Sequence, residues 1–388
     1  MRNLKRALSL ALAAIMLIGM MVVSASAVSY NDLTDKDQIV NKDAVSMLVS
    51  LGIIEGKPDG SYAPTENVDR AQMAKMLSVI MNKGVDNSAL YQSVNSGLTD
   101  ITSHWAKGHI NYCYTTGIIA GRGNGTFDPS ATVTALEAAK MLLVAVGYDP
   151  KIEGFEGADW AINVSVRADE QGIFEGFTKD LSAPLNRDDA ALLIYNALDV
   201  EMIQSYTTNN YPIVYSDHRT ILSDKYGVIK VEGVVTANEW AILDDDTDTA
   251  LQEGKTRIYN PDGILSTTGN TAVAQDSSAN VKTQVFNVST PVDMLGKAVT
   301  MYVKKTTILA DSTVYGAPVV SDVNTVIETG EKVTGGDSKD DDSLAALLKG
   351  TGLATDKATE YYHNYEEVAI DSADVDDIMN VKGAALTV

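Results

Sequence analysis

Four histidines (His104, His109, His218, His363), one cysteine, an acidic run and a glycine-rich pentad are the parts of this chain whose residue types could do chemistry. His104 and His109 stand five apart, off a shared helical face, and no cysteine pair accompanies them, so the spacing does not make a zinc site. Asp244-Asp245-Asp246-Thr247-Asp248 begins like a calcium loop. Thr249 and Lys255 stand where such a loop needs its glycine and its closing glutamate, which leaves a solvated acidic turn. Gly121-Arg122-Gly123-Asn124-Gly125 is rich in glycine, but no Gly-Lys-Ser/Thr follows to cradle a phosphate. Cys113 can form no internal disulfide and falls on the apolar side of a helical stretch, where a thiol serves as a small buried hydrophobe. No G-x-S-x-G elbow or paired-carboxylate signature is present, so no catalytic residue, metal site or cofactor is assigned. Glycosidase carboxylates, however, leave no recognisable spacing.

The glycine pentad belongs to a larger pattern. Gly52-Ile53-Ile54-Glu55-Gly56, Gly117-Ile118-Ile119-Ala120-Gly121 and Gly172-Ile173-Phe174-Glu175-Gly176 each precede a proline, twelve positions after the first glycine: Pro64, Pro129 and Pro184. Apolar residues then recur at i, i+3, i+4, i+7: Met73, Met76, Leu77, Ile80; Ala138, Met141, Leu142, Ala145; Ala190, Leu193, Ile194, Ala197. That is the stripe of a helix buried on one side. Asp69, Thr134 and Asn186 stand ahead of the stripes as N-caps, with Gln72, Glu137 and Asp189 three positions on to complete capping boxes. Each unit therefore reads as helix, glycine turn, short extended stretch ending in proline, and second helix. Units of this size cannot bury their apolar faces alone and must pack on one another.

Residues 1–27 read as an export leader: Arg2, Lys5 and Arg6, an apolar run from Ala7 to Val23, then Ala25-Ser26-Ala27 as the cleavage site. No second apolar run is long enough to span a bilayer, so no transmembrane anchor is expected. Without its leader the chain moves from a net charge of −22 to about −25, spread over both halves, which argues against nucleic acid as a partner. An anionic polymer must then be held by a few local cations, not by the overall field.

Residues 205–225 are polar and unperiodic and read as a linker. From Tyr226 the period changes to two. Val228–Val235, Lys255–Tyr259, Gln284–Val288 and Ala298–Lys304 read as strands of a β-rich domain over 226–330, sandwich or small barrel open. Residues 331–388 form an acidic tail with a short helix at Leu344–Leu348.

These motifs resemble the S-layer homology (SLH) repeat, whose unit is an F-x-D start, a W-A pair, a G-I-I-x-G turn, a D/N-G-x-F-x-P stretch and a T-R-A-E helix start. The second unit carries Leu98-Thr99-Asp100, Trp105-Ala106, the full turn and Asn124-Gly125-Thr126-Phe127-Asp128-Pro129. The first has Leu33-Thr34-Asp35 and Asp59-Gly60-Ser61-Tyr62-Ala63-Pro64; the third keeps Trp160-Ala161 but lacks the F-x-D start, and its proline stretch is degenerate. The resemblance implies repeats at 28–84, 98–147 and 153–204. It makes the chain multi-domain: an N-terminal all-α, pseudo-threefold module followed by the mainly-β domain.

It further implies grooves between repeats that hold secondary cell-wall polysaccharide non-covalently, often through a pyruvylated amino sugar. A ketal pyruvate is a carboxylate, which a guanidinium grips with two parallel hydrogen bonds. The motif arginine matches Arg70 and Arg187, whereas the second unit has Ala135; restoring arginine there is expected to leave binding unchanged or strengthen it. Lys57 and Arg122, after the glycine turns, could supply further charge. Trp105 and Trp160 either stack on sugar or anchor the core, and Glu137 is either a ligand contact or a helix cap. The expectation is a secreted, non-catalytic cell-wall protein that self-associates in a surface layer. The alternative is an SLH-anchored enzyme acting on polysaccharide through the C-terminal region.

Overall fold

The computed structural model describes residues 30–243, 250–260, 282–304 and 312–321, with the backbone of four short strands beyond them. The leader, the run Asp244–Asp248 and the helix read at Leu344–Leu348 lie outside the described residues.

Among the described residues six α-helices make the N-terminal half: α1 (Lys42–Ser50), α2 (Arg70–Met81), α3 (Lys107–Thr115), α4 (Ala135–Val146), α5 (Trp160–Glu170) and α6 (Arg187–Leu198). Glycine turns join them in pairs, α1 to α2, α3 to α4 and α5 to α6, each pair a helix–turn–helix unit. Asp69 and Thr134 close full capping boxes with Gln72 and Glu137. In the third unit only half the box forms. Asn186 accepts from the Asp189 amide, but the Asp189 carboxylate, one methylene shorter than glutamate, pairs with Lys179 instead.

The stretch before each second helix does more than lead into it. Val68 N–H donates to the Leu185 carbonyl (2.8 Å), Leu185 N–H to Val133 (2.7 Å), and Val133 N–H to Val68 (2.9 Å), a closed ring. All three residues are buried. Asp35 and Asp100, the acidic residues of the unit starts, reach across to the loop before the proline. Asp35 accepts the amides of Tyr62 and Ala63, and Asp100 those of Phe127 and Asp128. These bonds hold Ala63 and Asp128 at positive φ (+56° and +61°), where a residue with a Cβ needs outside support.

One apolar core runs through all three units. It also takes in Ile203, Ile221, Leu222 and Tyr226, so the polar stretch 205–225 is not a free linker. Strands β1 (Ile203–Tyr206) and β2 (Pro212–Val214) form a hairpin there, turned at Asn210 (φ +63°). The Tyr206 hydroxyl donates to Glu153 and accepts from the Asp149 amide, both between α4 and α5. The run of Thr and Asn that suggested a linker is the turn of this hairpin. Gly147, at φ +117°, ends α4 and lets Ile203 approach so closely that a Cβ would sit 2.7 Å from the Ile203 carbonyl oxygen.

Among the described residues of the C-terminal half, five strands form an antiparallel sheet in the order β5 (Thr283–Phe286), β4 (Thr256–Tyr259), β3 (Val228–Ala237), β6 (Ala298–Lys304), β7 (Val314–Val320). Among the described residues the sheet is open, neither sandwich nor barrel. The period of two works as read: Ile229, Val231 and Val235 with Val299, Met301 and Val303 face a second apolar cluster. Tyr302 points the other way, edge-on to Tyr195 of α6 with centroids 5.8 Å apart. Helix α1 packs against β7. Helices and sheet thus share a packed seam.

Two outcomes follow. A fragment of residues 28–226 should melt in one transition, whereas one ending at Gly147 loses Leu185 from the ring and should show little helical circular dichroism. Independent folding of the shorter piece would contradict the ring. At the seam, burial outweighs nearby Lys230 and raises the Asp199 carboxyl to about 6. The folded chain holds this proton more tightly than the unfolded one. The stabilisation is therefore complete below the ordinary carboxyl value of about 3.9 and lost as pH rises through about 6. Asp199→Asn, neutral at every pH, should gain stability relative to wild type as pH climbs through that window in chemical denaturation; a pH-independent difference would count against it.

Candidate functional site

Each motif arginine lies at the start of a second helix and crosses to the loop of the next unit. Arg70 is buried: Nε donates to the Phe127 carbonyl (2.9 Å), one Nη to Ala120 (3.0 Å), and the guanidinium lies 4.4 Å from the Phe127 ring centroid. Arg187 repeats the arrangement one seam away, with Nε donating to the Tyr62 carbonyl (2.7 Å), one Nη to the Glu55 backbone carbonyl (3.2 Å), and the ring of Tyr62 at 4.8 Å. Both arginines staple units together, a role the motif alone does not reveal.

They differ in what neutralises them. Glu137 accepts the Thr134 amide as a helix cap and also pairs with Arg122 (3.1 Å) and Arg70 (3.7 Å). Arg122 also lies 3.7 Å from Asp128. Arg70 and Arg122 with Glu137 and Asp128 therefore form one internally compensated cluster, two cations against two carboxylates. The position equivalent to Glu137 in the first unit is Gln72, a neutral amide whose oxygen is used in its own cap. Among the described residues Arg187 has no carboxylate within ion-pair distance, and it is only half-buried. Lys57 pairs with Glu66, and Lys75 lies 3.5 Å from Glu55, so this seam gathers three cations against two exposed carboxylates.

The remaining seam, between the second and third units, has no arginine. Ala135 is fully buried there, and Leu136 N–H donates to the Leu181 carbonyl. The third loop has lost the aromatic that Tyr62 and Phe127 supply elsewhere, and the helix facing it has lost the arginine that would cover one. An arginine at 135 would be forced into packed surroundings, so the expectation that it leaves binding unchanged or strengthens it does not fit this geometry.

The two tryptophans are not equivalent. Trp160 is half-buried with Lys140 Nζ 5.6 Å over its ring, and Lys140 also donates to the Phe155 carbonyl (2.5 Å). Burial pulls the Lys140 pKa down. Beside them lies a cleft of about 540 Å³ lined in part by Tyr114, Ile118, Gly121, Lys140 and Glu156. Trp105 is 56% exposed, with its ring against those of His104 and His109. Lys75 and Lys140 escaped the sequence reading, although both stand six residues after an N-cap, a matched offset that marks them.

Ser78, His109 and Asp86 form a serine–histidine–aspartate set in name: Ser78 Oγ is 2.6 Å from His109 Nδ1, and His109 Nε2 is 3.6 Å from Asp86. Ser78 and His109 are each only 4% exposed, and Ser78 also donates to the Lys75 carbonyl, so a substrate has no approach. The contact joins α2 to α3. Cys113 is fully buried, and burial pushes its thiol pKa up, as suits a packing residue.

Residues 29–74 and 97–139 match the family model of the S-layer homology domain. The chain carries S-layer homology segments. It is 29% identical to a cell surface protein of Thermoanaerobacter kivui over 273 residues, 69% of this chain and 32% of that protein. An S-layer protein of Bacillus licheniformis is 33% identical over 113 residues, 29% of this chain and 12% of the relative. An amylopullulanase of Thermoanaerobacterium thermosulfurigenes is 30% identical over 186 residues, 44% of this chain and 10% of the relative. The chain thus spans about a third of the length of the first of these and less of the others. These likenesses make it a cell-surface protein of the cell wall or S-layer. No helix among the described residues is long and apolar enough to cross a membrane.

Arg70→Ala should destabilise the chain by about 3 kcal/mol or more, because it strands two loop carbonyls and leaves Glu137 with one partner fewer. Ala135→Arg should lower the melting temperature as well. Urea denaturation checks both; a change under about 1 kcal/mol for Arg70→Ala would show that the staple carries little.

Proposed function

We propose that the chain is a non-catalytic protein of the bacterial surface, held without covalent attachment on secondary cell-wall polysaccharide by three S-layer homology units. The third unit, 153–204, is assigned by its register with the other two, and the closed ring of Val68, Leu185 and Val133 supports a pseudo-threefold module. Self-association in a surface layer through the remaining chain belongs to the same reading, as do the repeat bounds 28–84 and 98–147.

The observation that carries the proposal is the inequality of the seams. Where Arg70 meets Glu137, the guanidinium already has its carboxylate. Where Arg187 faces Gln72's unit, the equivalent carboxylate is missing, and Lys57 and Lys75 stand in the same seam. A carboxylate on the polymer, such as a pyruvyl ketal, would complete that pattern, and the Tyr62 ring beneath Arg187 keeps the guanidinium plane fixed. Arg187, Lys57 and Lys75 are the proposed polymer contacts here, and Lys140, beside Trp160, that of the neighbouring cleft; Arg70, Arg122 and Glu137 hold the module together. Trp105, exposed on the outer face, remains a candidate sugar platform.

The name of the amylopullulanase relative keeps a second reading open, an anchored enzyme of polysaccharides. Release of reducing ends from starch or wall glycan by the purified chain would favour it.

Co-sedimentation with purified wall polymer tests the main reading. Arg187→Ala should weaken binding more than tenfold, the scale expected when a charge-assisted contact is lost. Gln72→Glu, which supplies an internal carboxylate and keeps the helix cap, should weaken binding with the melting temperature nearly unchanged. Wild-type binding by both variants would remove the case for this seam.

A further inference from the structure

A second basic cleft lies away from the repeat seams, where helices meet sheet. Lys83 follows α2, Lys225 lies in the helical turn Leu222–Tyr226 before β3, and Lys304 ends β6; with Tyr226 and Tyr315 they line a cleft of about 280 Å³. Three lysines converging in a chain of net charge −22 repel one another at a local cost. The neutralisation around them is incomplete. Lys225 pairs with Asp224 (2.8 Å), a carboxylate shared with Arg219. Lys304 Nζ donates to the Tyr226 carbonyl, and Lys83 has no ion-pair partner among the described residues.

Tyr226 gives the second, independent sign. It is only 7% exposed, and among the described residues its buried hydroxyl has no acceptor for its proton, the neighbouring Gly84 amide being a donor. The Gly84 amide beside it is already donated to the Val79 carbonyl (3.0 Å). A buried polar atom without a partner costs about 1–3 kcal/mol and calls for an explanation such as an unseen ligand. Burial pushes the phenol pKa up, so it stays a donor.

Three ammonium groups offer donors from three separate elements, beside a buried phenol whose proton is unused, which suits a ligand made of acceptors. We propose that this cleft binds a tetrahedral oxyanion of the phosphate type, either free or as a phosphate ester on a glycan, and that the bound anion ties helices to sheet. Carboxylate recognition at Arg187 is a separate matter, and neither site requires the other.

The test is thermal melting of the full chain in inorganic phosphate against chloride at equal ionic strength, with phosphorus-31 line broadening as a direct measure of binding. Phosphate should raise the wild-type melting temperature by about 2 °C or more, and broadening should saturate. Lys83→Gln should cut the rise at least in half. Tyr226→Phe should abolish most of it, while melting in chloride at or above wild type because it removes an unsatisfied hydroxyl. Lys282→Gln, at an exposed lysine beside β5 and outside the cleft, should keep the rise. An equal rise in wild type and variants would mark a general salt effect and overturn the site. So would a Tyr226→Phe chain that melts well below wild type in chloride, since the hydroxyl would then have a partner in the fold. A phosphorylated glycan acting at lower concentration than its dephosphorylated form would identify the polymer as the source; a response to inorganic phosphate alone would identify the free ion.

Discussion

Three backbone hydrogen bonds among Val68, Leu185 and Val133 are the constraint on which the rest of this structure depends. Each bond joins a different pair of units, so no unit can leave without breaking two of them. Because each residue of the ring stands just before an N-cap, the ring also fixes where α2, α4 and α6 begin. Every helix start then faces the loop of a neighbouring unit. The geometry of the three seams is set by the backbone, and what each seam can do is left to a few side chains.

Those side chains have diverged in a correlated way. Arg70 lies on Phe127 and Arg187 on Tyr62, whereas Ala135 can make no such guanidinium–ring contact. The carboxylate of Glu137 closes one cluster, and an amide at Gln72 leaves the corresponding one open. Charge at this scale outranks the net charge of −22, since exposed charges beyond the screening length of about 8 Å count for little at physiological ionic strength. A strongly acidic protein can therefore carry a local site for an anion.

Helices and sheet are bound together more closely than two domains on a linker. Tyr302 of β6 belongs to the helical core, while its strand neighbours Met301 and Val303 belong to the core of the sheet. One strand serves two clusters because alternate residues face opposite ways. The hairpin over Ile203–Val214 and the turn at Leu222–Tyr226 fill the space between, which is how a polar stretch comes to be structural.

Much of this was legible in the residues themselves. The stripes, the caps at Asp69, Thr134 and Asn186, the glycine turns and the change to period two depend on local spacing, and local spacing survives in a linear chain. The unequal motif arginines and the cap role of Glu137 were equally visible. What the residues could not say was where each arginine reaches. Arg70 and Phe127 are 57 positions apart, Arg187 and Tyr62 are 125 apart, and only the closure of the ring brings them together. The same holds for the cleft of Lys83, Lys225 and Lys304, whose members belong to three elements with no shared period. Local sequence determined the elements and their ends, because propensity and capping act within a few residues. The tertiary structure decided which charges are spent and which are free, because that depends on partners that only folding brings within hydrogen-bonding distance.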